Sequence, residues 1–308
     1  MITEWTFEIL FIIVVSFMYY LNLGLTTSKV LYVPQGSITK IITHLQDENV
    51  NVSPLDAFLM RFIGMPQQGW INIGTNHLTH ADFLQRLSTA KAAMKNVTLI
   101  PGETTYVFLQ QLANQLNLEH KRLLAEFKRQ SPFKEGAFVP DTYKLPRGIT
   151  EKAVVALLLR RSAKQMHAWS HKIFGTYNEA KWYKYLTLAS VIQKEAASIE
   201  EMPTVGSVIQ NRINKGMKLQ MDGALNYGKY SHIKITSKRI RTDKTAYNTY
   251  KYKGIPDDPV CNVSLPAIRA AIFPAKTDYL YFMKNKQGKH DFTRYYSTHI
   301  RNIKRATK

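Results

Sequence analysis

The sequence predicts an α+β protein with an N-terminal transmembrane helix, a small α/β module and a larger domain of mixed helices and strands. Three observations predict it. Residues 9–25, ILFIIVVSFMYYLNLGL, are almost wholly apolar. Short apolar strands and capped amphipathic helices then alternate over residues 30–90. Helical spacing of apolar residues dominates from there to Gly216, and the last third mixes short strands, loops and a basic helix. The 308 residues, 45% hydrophobic and 21% charged, are those of a globular chain long enough for one large domain or two smaller ones.

No residue from Ile9 to Ser28 is charged, a length that spans a bilayer core as a helix. Trp5, Tyr19 and Tyr20 suit the two interfaces. A cleaved signal peptide would want a basic start and a small-residue cleavage site. Residues 1–8, MITEWTFE, hold two acids and no Lys or Arg, and no A-x-A follows. A retained single-pass anchor over residues 1–28 is therefore expected. The positive-inside rule does not orient it, because the N-terminal side has no Lys or Arg.

The net charge of +20 favours anionic partners: nucleic acid, acidic lipid or a polymer bearing carboxylates. A generally basic set of proteins in the source is the bland alternative. Cys261 is the only cysteine, so no intrachain disulfide and no cysteine metal site is expected.

After the anchor, VLYV (30–33) reads as a strand, and Pro34 and Gly36 turn the chain into a helix near 38–46. Ser53 and Pro54 form a cap and an N1 proline, starting a second helix that runs to about Phe62. GWINI (69–73) is a second strand, and Thr79 caps a third helix, ADFLQRLSTA. LIPGETTYVFLQQL (99–112) repeats the strand, turn, hydroxyl cap and helix of YVPQGSITKIITHL (32–45). A helix over 116–130 follows. FKEGAFVPDTYKLPRGIT (133–150) is irregular, yet Phe138, Val139 and Tyr143 predict that it packs against something. A helix over 151–173 comes next.

In LTLASVIQKEAASIEE (186–201), Leu188, Val191 and Ile192 recur at helical spacing, and Glu195 falls on the same face. Glu200 and Glu201 are expected near the helix end, just before Pro203 starts another helix over PTVGSVIQNRINKG (203–216). The two helices make a hairpin. Burial beside apolar groups raises a carboxyl pKa and suits a general acid. Periodicity alone leaves a second reading open and favours it: a structural carboxylate paired with one of the many Lys or Arg residues, or a helix rotated to expose it.

In MKLQMDGALNYG (217–228), Gln220 and Asp222 alternate with apolar residues, so an extended segment would turn both the same way. TAYNTYKYKGIPDDP (245–259) offers Asn248 and Tyr250 among neutral polar and aromatic loop residues, which suit sugars; an ordinary tyrosine-rich loop is the plain alternative. HLTH (77–80) and HAWSH (167–171) have metal-ligand spacing without a third ligand, so no metal is expected. No P-loop, dinucleotide fingerprint or G-x-S-x-G is present. KITSKRIRTDK (234–244) and HIRNIKRATK (299–308) are basic, but no nucleic-acid-binding motif accompanies them, and a nucleic-acid partner is not expected.

Taken in order, LASVIQKEA (188–196), IQNRINKGMKLQMD (209–222), AYNTY (246–250), GIPDDPVCN (254–262), AIFPAKTDYLYFM (271–283) and HDFTRYYSTH (290–299) resemble the YceG-like family of endolytic murein transglycosylases. VPQGS (33–37), IPGETT (100–105) and EGAFVPDTY (135–143) extend the resemblance upstream. It implies a single-pass inner-membrane protein with a LysM-like module (29–98) and a catalytic domain (99–308) outside the cytoplasm. It implies lytic cleavage of the MurNAc-GlcNAc β-1,4 bond within peptidoglycan strands, leaving 1,6-anhydro-MurNAc ends, without a cofactor. Peptidoglycan synthases are candidate partners, which the sequence itself does not reveal. Glu195 is then the catalytic acid, because the first glutamate of the family's E-K-E is Gln193 here. Gln220, Asp222, Asn248 and Tyr250 become candidate sugar contacts. Met221 and Gly223 stand where the family more often has Thr and Pro, and Asp257-Asp258 replace a small or Pro-rich turn. Asp222 is the nearest second acid for an ordinary hydrolase. A non-catalytic, membrane-anchored glycan-binding protein is the contrasting expectation.

Overall fold

The computed structural model describes residues 2–307, so Met1 and Lys308 lie outside it. It is a mixed helix and strand protein whose chain divides into two compact units. The first comprises residues 1–96 and 144–153, and the second residues 97–143 and 154–308.

The first unit begins with α1 (Ile2–Asn22), whose stretch Trp5–Asn22 is long and apolar enough to cross a membrane. The helix stops before the apolar run does. Gly24–Thr26 is a strand, β1, and Leu25 is buried in the unit's core. β2 (Val30–Val33), α2 (Ile38–Asp47), α3 (Pro54–Ile63) and β3 (Gly69–Asn72) follow in the expected order. The Ser37 side chain caps α2. Ser53 and Asp56 form a capping box on α3, with Pro54 in its first turn. β4 (His77–Thr79) leads into α4 (His80–Thr89), capped by Thr79. β2 pairs antiparallel with β3, Val30 opposite Asn72, and β1 pairs with β4, Gly24 opposite Thr79. Ile41, Leu45, Met60, Ile71, Phe83 and Leu84 fill the core between these pairs and the helices. Burying each such side chain contributes roughly 1.5–3 kcal/mol.

β5 (Met94–Thr98) carries the chain onward, and β6 (Thr142–Pro146) pairs with it. In the second unit, α5 (Thr105–Leu116) ends at Asn117 in the left-handed conformation, and α6 (His120–Gln130) begins after it. The helix expected from residue 116 thus starts at His120. The irregular stretch after α6 packs as expected, with Phe138, Val139 and Tyr143 all buried. α7 (Glu151–Phe174) precedes α8 (Glu179–Glu195). α9 (Met202–Asn214) packs beside α8, and Gly216, at φ 64°, follows it in the left-handed region. α10 (Ser237–Thr242) is short, and α11 (Leu265–Ile272) packs on both α8 and α9. The hairpin β7 (Tyr281–Lys284) and β8 (His290–Thr293) leads to the basic helix α12 (Tyr296–Thr307).

One expected boundary differs. α8 ends at Glu195 rather than continuing toward Glu201. Glu201 is held instead by β8: the His290 backbone N–H donates to it at 3.0 Å, and its Oε2 lies 2.8 Å from His290 Nδ1. Successive acids at a helix C-terminus also oppose the helix dipole.

Buried Asn262 joins distant segments of the second unit. Its Oδ1 accepts from the Phe138 backbone N–H, and its Nδ2 donates to the Glu103 carbonyl and to Thr105 Oγ1. Thr105 in turn donates from both its backbone and its hydroxyl to buried Glu135. Burial pushes the Glu135 carboxyl up to about 7, against the lowering effect of these bonds and of the Lys194 charge.

Candidate active site

The site grows from the last residue of α8. The helix buries Leu186, Ala189, Val191 and Ile192, and this face carries Glu195 into the unit at its C-terminal end. Glu195 is half-buried. Its Oε1 accepts a 2.7 Å hydrogen bond from the Gly223 backbone N–H. Burial pushes its pKa up to about 7. The Asp222 charge pushes the same way, while the Gly223 amide and the Arg212 charge pull it down. The free carbonyls at the end of α8 further favour the neutral acid.

The paired-charge reading of Glu195 is not what the structure contains. No Lys, Arg or His among the described residues forms an ion pair with it. Arg212 acts only through its field. Its Nε donates to the Leu280 carbonyl at 2.6 Å, and its Nη1 donates to the Leu219 carbonyl. Its guanidinium also lies over the Tyr281 ring, 5.6 Å from the centroid. The cation is thus fixed beside the acid without neutralising it.

The segment after α9 supplies the other side. It is not the extended strand that alternation predicts. Gln220 is left-handed at φ 47°, and Asp222–Leu225 is a turn of 3-10 helix. Gln220 and Asp222 are both exposed, as the sugar-contact reading needs, but for a different backbone reason. Asp222 Oδ1 accepts a 2.7 Å bond from the Tyr250 hydroxyl, so Glu195, Asp222 and Tyr250 come together.

Asn248 does not join them, and its expected role as a sugar contact is corrected. It is fully buried. Its Nδ2 donates to the carbonyls of Ile240 and Asp243, and its Oδ1 accepts from the Tyr250 N–H. With these bonds made inside the loop, Asn248 shapes the loop that presents Tyr250. The neighbouring Thr249 hydroxyl accepts from the Met221 N–H, tying the loop to the segment below Glu195.

Two residues escaped sequence reasoning. Arg212 stands in the α9 sequence without any feature that singles it out. Gly223 reads only as a departure from the family pattern, yet a Cβ on it would lie 2.7 Å from Lys194 Cβ and 2.9 Å from Glu195 Oε1. In this arrangement the missing Cβ is what lets the backbone approach the carboxylate so closely. The one available signal is a glycine directly after an acid in the segment suspected of binding. Gln193, where the family has glutamate, accepts from the Ser264 N–H and hydroxyl at the start of α11. Either side chain can supply that acceptor, so the position braces two helices and leaves Glu195 as the acid facing Gly223.

The fold has a counterpart among solved structures. A yceG-like protein of Listeria monocytogenes superposes with a TM-score of 0.59 at 23% identity, over 90% of this chain and 99% of that one. The model of the YceG-like family matches residues 31–305, and the chain belongs to that family. An endolytic murein transglycosylase of Bacillus subtilis (strain 168) is 32% identical over 168 residues, 54% of this chain and 46% of that protein. A protein of the same description from Streptococcus pneumoniae (strain D39) is 30% identical over 178 residues, 55% of this chain and 31% of that protein. The chain thus spans about half the length of the first of these relatives and about a third of the second.

Proposed function

We propose that the protein is a membrane-anchored lytic transglycosylase of peptidoglycan. It cuts the MurNAc-GlcNAc β-1,4 bond within glycan strands and leaves 1,6-anhydro-MurNAc ends, in cell-wall assembly or glycan-length control. The single observation that carries this reading is Glu195, a carboxyl held near pKa 7 without a cationic partner. Protonated Glu195 donates to the glycosidic oxygen as the C1–O bond breaks. The 6-hydroxyl of the same MurNAc forms the new C1–O bond, and its proton returns to Glu195. The nucleophile is intramolecular, so its effective concentration is high and no protein nucleophile is required. Asp222 and Tyr250 line the acid's surroundings, and exposed Gln220 offers an amide to the sugar.

In this reading α1 is a single-pass inner-membrane anchor, residues 29–98 form a LysM-like module, and residues 99–308 form the catalytic domain on the far side from the cytoplasm. The basic excess meets peptide-stem carboxylates and anionic lipid. Peptidoglycan synthases are the expected protein partners.

The test is digestion of purified sacculi by the full chain in detergent micelles. Mass spectrometry of the products should find anhydro-muropeptide ends, which disappear in a folded Glu195→Gln protein. Reducing ends instead would indicate a hydrolase using Asp222 as its second acid. Binding without cleavage would indicate a glycan-binding protein. Undiminished cleavage by Glu195→Gln would sink the mechanism.

A further inference from the structure

One face of the first unit is apolar and uncovered. α3 sets Leu55, Phe58 and Phe62 along a single stripe, at i, i+3 and i+7, and Ile63 and Met65 continue it. Their exposures are 39%, 51%, 76%, 43% and 55%. The Phe58 and Phe62 rings meet edge to face with centroids 5.1 Å apart. Asp56, Leu59 and Met60 are the residues α3 buries. A lone exposed apolar residue is ordinary, but five within one helix and its exit mark a contact surface.

The attachment of α1 indicates what covers this surface. In the last turn of α1, the Tyr20 hydroxyl donates to Asp56 Oδ2 at 2.7 Å and lies 2.7 Å from Ser53 Oγ. Asp56 also accepts from the Ser53 N–H and bonds His80 Nδ1, and the His80 ring stands 4.7 Å from the Tyr20 ring. The apolar helix is therefore clasped to the first turn of α3 without a flexible linker. A helix of 21 residues is about 31 Å long, the thickness of a bilayer's hydrocarbon core. Tyr20 then sits near the lipid–water boundary, and so does the first turn of α3. The ten residues of α3 reach no more than about 15 Å from that level. Exposed Arg61, flanking Phe58, has the apolar stem and cationic head that suit a phosphate headgroup.

We propose that the Leu55–Phe58–Phe62 face of α3 lies in the headgroup region of the bilayer that α1 enters. The partner is the phospholipid interface, and the first unit rests on it through a second, non-spanning contact. This inference rests on the reading of α1 as a membrane span and is independent of the chemistry at Glu195.

Nitroxide accessibility tests it in the full chain, reconstituted into vesicles of phosphatidylethanolamine and phosphatidylglycerol. Single labels replace Val14, Phe58, Phe62 and Thr89 as Val14→Cys, Phe58→Cys, Phe62→Cys and Thr89→Cys; Cys261 is buried and takes no label. Oxygen should collide with the labels at 14, 58 and 62 several-fold more effectively than a water-soluble nickel chelate, with the reverse at 89, the exposed far end of α4. A label in lipid at 14 with 58 and 62 as wet as 89 overturns the proposal alone. Shielding of 62 from both reagents, with dipolar broadening between copies, overturns it in favour of a second copy of the chain. A wet label at 14 overturns the span reading and this inference together.

Discussion

Glu195 and Gly223, 28 residues apart in the chain, meet at a 2.7 Å hydrogen bond that a Cβ at position 223 would crowd. The acid and the backbone that steadies it form one unit. Gly223→Ala places a methyl 2.7 Å from Lys194 Cβ and 2.9 Å from Glu195 Oε1. Overpacking of this kind destabilises by about 1–3 kcal/mol. Urea denaturation should show that loss, and in the proposed reaction the release of anhydro-muropeptides should fall with it. Full stability and turnover in the variant would refute the tight approach.

Asp222 tunes the acid through its charge. It raises the Glu195 pKa, so Asp222→Asn should lower it. A general acid works while protonated, and activity declines above its pKa. The alkaline limb of the pH–rate profile should therefore move to lower pH. A limb that stays in place or moves upward would show that Asp222 does not act on Glu195 electrostatically.

Stability should fall as pH rises through a window that two carboxyls define. Glu135 and Glu195 both have folded pKa values raised to about 7 from an ordinary 4.5. Between those values the folded chain holds more protons than the unfolded one, so their contribution is complete below about 4.5 and lost as pH passes about 7. For buried Glu135 the change is on the order of 3 kcal/mol; for half-buried Glu195 it is smaller, because water screens it. Glu195→Gln should flatten part of the fall, matching the parent near pH 4.5 and melting higher at pH 8 by scanning calorimetry.

Asn248 and Gln220 should separate cleanly. Asn248→Ala strips hydrogen bonds from the Ile240 and Asp243 carbonyls and from the Tyr250 N–H. It should destabilise the second unit by about 1–3 kcal/mol. Gln220→Ala, at an exposed side chain, should change stability by no more than about 0.5 kcal/mol and act on KM alone. Chemical denaturation beside initial-rate measurements distinguishes the two.

What was legible in the sequence was local. Ser37, Ser53-Pro54 and Thr79 announce their helices because a cap and its amide lie within one turn. The apolar face that carries Glu195 was legible by the same logic. The end of α8 was not, because Glu201 is held by His290, 89 residues further on. Asn248 suggested a sugar contact because its composition suits one, while its burial depends on carbonyls that loop closure brings to it. Gly223 became meaningful only when Glu195 arrived beside it. Pairings across many residues have no periodicity to read.

The Asn262 junction also sets an order in time. Residues 103–105 and 138 are joined through one side chain that a ribosome delivers more than a hundred residues later. The next helix, α11, packs on α8, the helix that ends in Glu195. Contacts of such separation close late, after the loop entropy between them has been overcome. A nascent chain stalled before Asn262 would carry Glu195 and Gly223 without the framework that holds them. The acid and the amide that steadies it are thereby left unframed until the segment from Asn262 through α11 has been made.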